Sequence, residues 1–201
     1  MNTYHMRLHH PLDQLLSTGA KVKVLRVLLR HPDRAWTGRE LAVAARVSAP
    51  QTIASLRDLE GAGMVQRRVV GRAHEWRLIH ENALVGTLTG LYTFEHDLPL
   101  RLERDLAKSL KGLGVRRAVL FGSVARGEET DQSDIDLLIE VRSDRDRDEV
   151  EKELTPLFLE IHRRFGLSLS PYVLTRQQLA QPANPALLRS VARDGRVLVE
   201  G

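Results

Sequence analysis

The short run Arg117-Ala118-Val119-Leu120-Phe121 breaks into Gly122-Ser123-Val124-Ala125-Arg126-Gly127, and Ser133-Asp134-Ile135-Asp136-Leu137 follows a polar stretch. This succession constrains the fold more than any other part of the chain. An apolar run of that length makes a buried strand. Gly122 and Ser123 then place no bulk between the backbone and a ligand, so N–H groups can approach phosphate oxygens. In Asp-Ile-Asp-Leu, the strand period of two points Asp134 and Asp136 the same way and sends Ile135 and Leu137 into a core. Paired carboxylates suit a hard cation, and a hard cation suits a triphosphate.

These residues resemble the nucleotidyltransferase superfamily related to DNA polymerase beta, and within it the minimal nucleotidyltransferases. The signature Gly-Ser-x-Ala-Arg-Gly followed by Ser-Asp-x-Asp-Leu is matched at Gly122, Ser123, Ala125, Arg126, Gly127, Ser133, Asp134, Asp136 and Leu137. The resemblance covers roughly residues 113–199. It implies attack of a hydroxyl on the α-phosphate of a nucleoside triphosphate. Asp134 and Asp136 would be the catalytic, magnesium-holding carboxylates. Gly122, Ser123, Arg126 and Ser133 would contact the nucleotide. The family also places a third carboxylate on the following strand. Here that strand, expected over 167–174, contains no acid, and Ser168 or Ser170 stands in its place.

Charge is split along the chain. Residues 1–80 carry 13 Lys and Arg against 6 Asp and Glu, a net of +7, whereas 81–201 carry a net of −3. A basic first part suits a polyanion. The absence of cysteine excludes disulfides and thiolate metal sites. No apolar run reaches membrane-spanning length and no signal-peptide pattern opens the chain, so a cytoplasmic protein is expected. His5, His9 and His10 read as a frayed polar end.

The basic part reads as helices and a hairpin. Apolar spacing predicts a helical stretch from Leu12 to Leu29, interrupted near Gly19 and ended by His31-Pro32-Asp33. Thr37 caps a helix over 38–45 that turns Leu41 and Ala44 or Ala45 inward. Ser48 caps another, with Pro50 in its first turn and Gly61 or Gly63 near its end. Two strands follow around Gly71-Arg72-Ala73. This layout is that of a winged helix-turn-helix. The stretch from Ser48 to Val65 is similar to the recognition helix of ArsR-like and MarR-like regulators. That similarity implies double-stranded DNA as partner. Thr52, Leu56 and Leu59 would face the core, while Gln51, Ala54, Ser55 and Arg57 face a major groove and Arg67, Arg68, Arg72 and His74 line the wing.

Residues 81–112 read as a helical connection, with Pro99 dividing it in two. Its first part serves either as a dimerisation helix, making a homodimer, or as packing between domains. Beyond Val141 a charged amphipathic helix spans 143–164, with Val150, Leu154, Leu157, Phe158 and Ile161 on its apolar stripe. The expected fold class is therefore α+β: a winged helix-turn-helix over 1–80 and a nucleotidyltransferase-like mixed sheet over 113–201. Two functions compete. One is a DNA-binding regulator whose second domain binds nucleotide and metal but is catalytically weak. The other is an active nucleotidyltransferase acting on protein or RNA, antitoxin-like, with a HEPN-type toxin partner implied by the family resemblance.

Overall fold

The computed structural model describes residues 10–111, 113–130, 132–181 and 184–201. His5 and His9 lie outside the described residues. The chain divides into two compact units, Met1–Asp97 and Leu98–Gly201.

In the first unit, α1 (Pro11–Leu15) precedes α2 (Gly19–Arg30), which the Thr18 side chain caps. A two-residue strand β1 (Trp36–Thr37) leads into α3 (Gly38–Ala45). Thr37 and Glu40 form a reciprocal capping box there, so two otherwise orphaned backbone donors are satisfied. Next come α4 (Ala49–Gly61), capped by Ser48, and the hairpin β2 (Val65–Val70) and β3 (Ala73–Leu78). Gly71 has φ +60°, which supplies the positive φ that a two-residue hairpin turn requires at its first position. The sheet order is β1-β3-β2, all antiparallel. The helices α2, α3 and α4 with this three-stranded sheet make a winged helix-turn-helix.

The core of this unit gathers Leu25, Leu28, Leu41, Leu56, Leu59, Met64 and both tryptophans. Burial of each leucine contributes roughly 1.5–3 kcal/mol. Lys21 is also buried, and its ammonium joins three helices. It donates to the Gln14 carbonyl at 2.8 Å and to Ser17 Oγ at 3.0 Å, and pairs with Asp58 at 2.8 Å. On α3, Leu41 and Ala45 are the inward residues, joined by Ala42, while Ala44 is exposed.

Ser55 departs from expectation. It is only 4% exposed, so it faces inward and not toward a groove. The helical period explains this, because residues 52, 55, 56 and 59 form one stripe and its other members are core. Pro99 also behaves differently from expectation. It lies inside one helix, α5 (Val85–Leu110), and does not divide two. The carbonyl that loses its partner is that of Glu95, an exposed residue, so water can replace the missing N–H. Val85, Leu88 and Tyr92 of α5 belong to the first core; Leu102, Leu106 and Leu110 belong to the second.

The second unit continues with β4 (Val115–Phe121), α6 (Gly122–Arg126), β5 (Ile135–Val141) and α7 (Asp144–Phe165). Then follow β6 (Leu169–Thr175), α8 (Arg176–Ala180), α9 (Pro185–Asp194) and β7 (Arg196–Glu200). The four-stranded sheet has the order β6-β5-β4-β7, with β5 and β6 parallel and the other pairs antiparallel. One face of β5, formed by Ile135, Leu137, Ile139 and Val141, is fully buried with α5 and α7 residues. On the other face, Val119, Phe121 and Leu138 pack with Leu187, Leu188 and Val191 of α9. Among the described residues no helix is long and apolar enough to cross a membrane.

Candidate active site and candidate nucleic-acid face

Three strands meet at one point on the sheet face that also carries Phe121 and Leu138. Phe121 ends β4 directly opposite Asp136 on β5, and Asp136 stands opposite Ser170 on β6. Cross-strand neighbours share a face, so Asp136 and Ser170 lie side by side. The choice between Ser168 and Ser170 is thereby settled for the strand position. Ser168 precedes β6, where its carbonyl accepts a hydrogen bond from the Ile135 N–H at 2.8 Å.

Gly122 is fitted to this point. It is buried with φ +79°, and a Cβ there would lie 2.1 Å from Asp136 Oδ2. The turn and the carboxylate therefore touch, and no other residue type fits the turn without moving one of them. Ser123 follows, half-buried. Its carbonyl accepts the Glu128 N–H at 2.9 Å, which folds the loop back on itself. Ser133 braces the same loop, its Oγ accepting the Thr130 N–H at 2.9 Å. Asp134 is exposed just before β5. Burial pushes the Asp136 carboxyl above the usual range, and the Asp134 charge pushes it further, against a smaller opposing effect of Arg126. The site thus concentrates negative charge that a cation would relieve.

Arg126 is held by protein. Its Nε pairs with Glu128 at 2.7 Å and its Nη1 bonds Asp194, whose side chain is 6% exposed. Arg193 holds the Asp194 carboxyl below the usual range, with Arg126 assisting against the cost of burial. Sequence reasoning missed Asp194. The only signal was a carboxylate before a glycine, which reads as a turn.

In the first unit, a concave surface of about 320 Å³ brings Arg57 of α4 together with Arg67, His74 and Trp76 of the wing. Arg39, from the first turn of α3, completes it. Arg39 carries no sequence signal for this face, because it precedes the helix that matches the recognition-helix pattern. Arg67 sits opposite Trp76 and also pairs with Glu60 at 3.6 Å. Arg68 lies on the other face of the hairpin, opposite Glu75, and Arg72 is at the tip. Gln51 is exposed on α4, its side chain accepting the Ser48 hydroxyl proton at 2.8 Å.

A family model described as a nucleotidyltransferase domain matches residues 103–182. A Methanocaldococcus jannaschii protein, provisionally named a protein adenylyltransferase, is 36% identical over 84 residues, 42% of this chain and 78% of that relative. Among solved structures, a toxin-antitoxin complex with AMP-PNP is 18% identical, with 49% of this chain and 73% of that one covered at TM-score 0.35. A homodimeric winged helix-turn-helix DNA-binding domain from Mycobacterium bovis is 23% identical, with coverages of 48% and 91% and TM-score 0.34. Scores this low carry no argument about function. The family model spans the glycine-serine turn, both aspartates and β6, and the 36%-identical relative is covered over 78% of its length. The chain belongs to the nucleotidyltransferase family.

Proposed function

We propose that this protein is a DNA-binding regulator whose second unit binds a nucleoside triphosphate with magnesium and transfers nucleotide slowly or not at all. The observation that carries this reading is the meeting of Gly122, Asp136 and Ser170 on one sheet face. Ser123 and the adjacent backbone would grip the terminal phosphates. Asp134 and Asp136 would hold magnesium, which would supply charge stabilisation at the α-phosphate. The donor set fits a cation: the burial and like charge that raise Asp136 are relieved by one. It is one carboxylate short, since Ser170 offers a neutral hydroxyl with neither the charge nor the basicity of an acid. Phosphate oxygens must complete the coordination. Arg126 would neutralise phosphate charge only by giving up part of its hold on Glu128 and Asp194; otherwise it acts by fixing α6 against α9.

A second reading keeps the enzyme active, transferring a nucleotide to protein. The name of the 36%-identical relative favours it. A HEPN-type toxin partner rests on the minimal-nucleotidyltransferase resemblance alone. The two readings separate on incubation with labelled nucleoside triphosphates, magnesium and cell extract. Little transfer is expected. Robust labelling of a protein, lost in Asp134→Ala, would establish the second reading and overturn the first.

The DNA side rests on the surface formed by Arg39, Arg57, Arg67 and His74. Binding to double-stranded DNA should weaken steeply with added salt, because counterion release dominates contacts to phosphate. The charge reversals Arg57→Glu and Arg67→Glu together should cost about tenfold or more in affinity and flatten the salt slope. Arg68→Glu, on the other hairpin face, should cost less. Unchanged affinity in the double variant would rule this surface out.

A further inference from the structure

The geometry points to a nucleobase pocket beside the catalytic carboxylates, lined in part by chain beyond the stretch the family model matches. It is a cavity of about 290 Å³ between β6 and the helices α8 and α9. Tyr172 and Leu174 form its floor, Leu187 and Leu188 one wall, and Gln178 and Asn184 part of its rim. This inference rests on the nucleotide-binding reading above and names what that site recognises.

Position comes first. Tyr172 follows Ser170 by two residues, so it lies on the same sheet face and about 7 Å further along β6. The Gly122–Ser123 turn lies on the other side of Asp136, at the end of β4. A nucleoside triphosphate with its terminal phosphates at the turn and its α-phosphate at Asp136 therefore sends its nucleoside toward β6. The cavity is where that nucleoside arrives.

Chemistry comes second. None of the described side chains lining the cavity is charged, which disfavours a phosphate, carboxylate or ammonium as its occupant. Tyr172 is 37% exposed, and its ring, 5.9 Å from the Phe121 ring and tilted 49° to it, offers an aromatic face for stacking. The two rim amides are already half committed. Gln178 Oε1 accepts the Thr175 N–H at 2.9 Å, and Asn184 Oδ1 accepts the Ala186 N–H at 3.1 Å. With its oxygen engaged, each amide keeps its NH2 group as a hydrogen-bond donor. A flat, uncharged ring rich in acceptors, as nucleobases are, answers both features.

The test compares ligands that share phosphates but differ in the base. Calorimetry on the full chain with magnesium would measure ATP, GTP, CTP and UTP beside inorganic tripolyphosphate. At least one nucleotide should bind about tenfold or more tighter than tripolyphosphate. Tyr172→Ala should erase most of that difference and leave tripolyphosphate affinity unchanged, which also shows that the variant is folded. Gln181→Ala, which removes a lining side chain and leaves the backbone N–H that caps α8, provides a milder second variant with the same expected direction. Equal binding of all five ligands by the unaltered protein would overturn the pocket and leave the phosphate site standing. So would a Tyr172→Ala variant that weakens every ligand alike or leaves nucleotide affinity intact. Binding of none of them would overturn the nucleotide reading itself.

Discussion

Alanine at position 122 is expected to abolish magnesium-dependent nucleotide binding while the first unit stays folded. Two separate effects act on one methyl group. At φ +79° an L-residue is strained by roughly 1–3 kcal/mol. The added Cβ would also lie 2.1 Å from Asp136 Oδ2, an overlap no real contact tolerates. Either the turn opens or Asp136 swings away, and each movement separates the phosphate grip from the metal ligand. The loss should be about a hundredfold or more in affinity. Ser123→Ala, which removes a hydroxyl and leaves the backbone alone, should cost about tenfold or less. Thermal unfolding should show the Gly122→Ala loss confined to the second unit. Full nucleotide affinity in Gly122→Ala would mean that the close approach of turn and carboxylate has no part in binding.

Aspartate at position 170 is expected to have the opposite effect on the metal. Register places Ser170 beside Asp136, so Ser170→Asp supplies the missing third carboxylate. Magnesium should bind about tenfold or more tighter, and nucleotidyl transfer should rise if the rest of the site is intact. The cost falls on the metal-free protein. Asp136 already titrates above the usual range, through burial first and the Asp134 charge second. A carboxyl whose folded pKa is raised destabilises the fold where it is ionised, above that pKa, and the penalty disappears as pH falls through it. A third acid adds to the repulsion. Metal-free Ser170→Asp should therefore melt below the unaltered protein at neutral pH. The two should converge in acid, and magnesium with nucleotide should remove the difference. Unchanged magnesium affinity in this variant would show that position 170 does not reach the cation.

Local chemistry was legible and pairing was not. Thr37 and Ser48 as caps, and Gly71 in the hairpin turn, follow from rules that act within four residues, and each stands where the sequence placed it. Strand β1 escaped because two residues carry no period, and only its pairing with β3 defines it. Pro99 looked like a divider because the proline rule is local, whereas an exposed carbonyl can turn to water. Ser55 looked outward because it is polar, although its place in the 52-55-56-59 stripe fixes it inward. At the site, Asp134 lies just before β5 and not within it, so the strand period does not apply to it, and local spacing could not say which serine of the next strand lies beside Asp136. That depends on register between strands about thirty residues apart. The hold of Asp194 on Arg126 spans 68 residues and had no local trace.

The central claim is that the glycine-serine turn and the two aspartates form one magnesium-dependent nucleotide site. Calorimetric titration of the full chain with nucleoside triphosphates tests it most directly. It would be run with and without magnesium, beside Asp134→Ala and Asp136→Ala. Saturable binding that requires magnesium and is lost in Asp136→Ala is the expected result. Binding undiminished in both variants, or no binding of any nucleoside triphosphate to the unaltered protein, would contradict it.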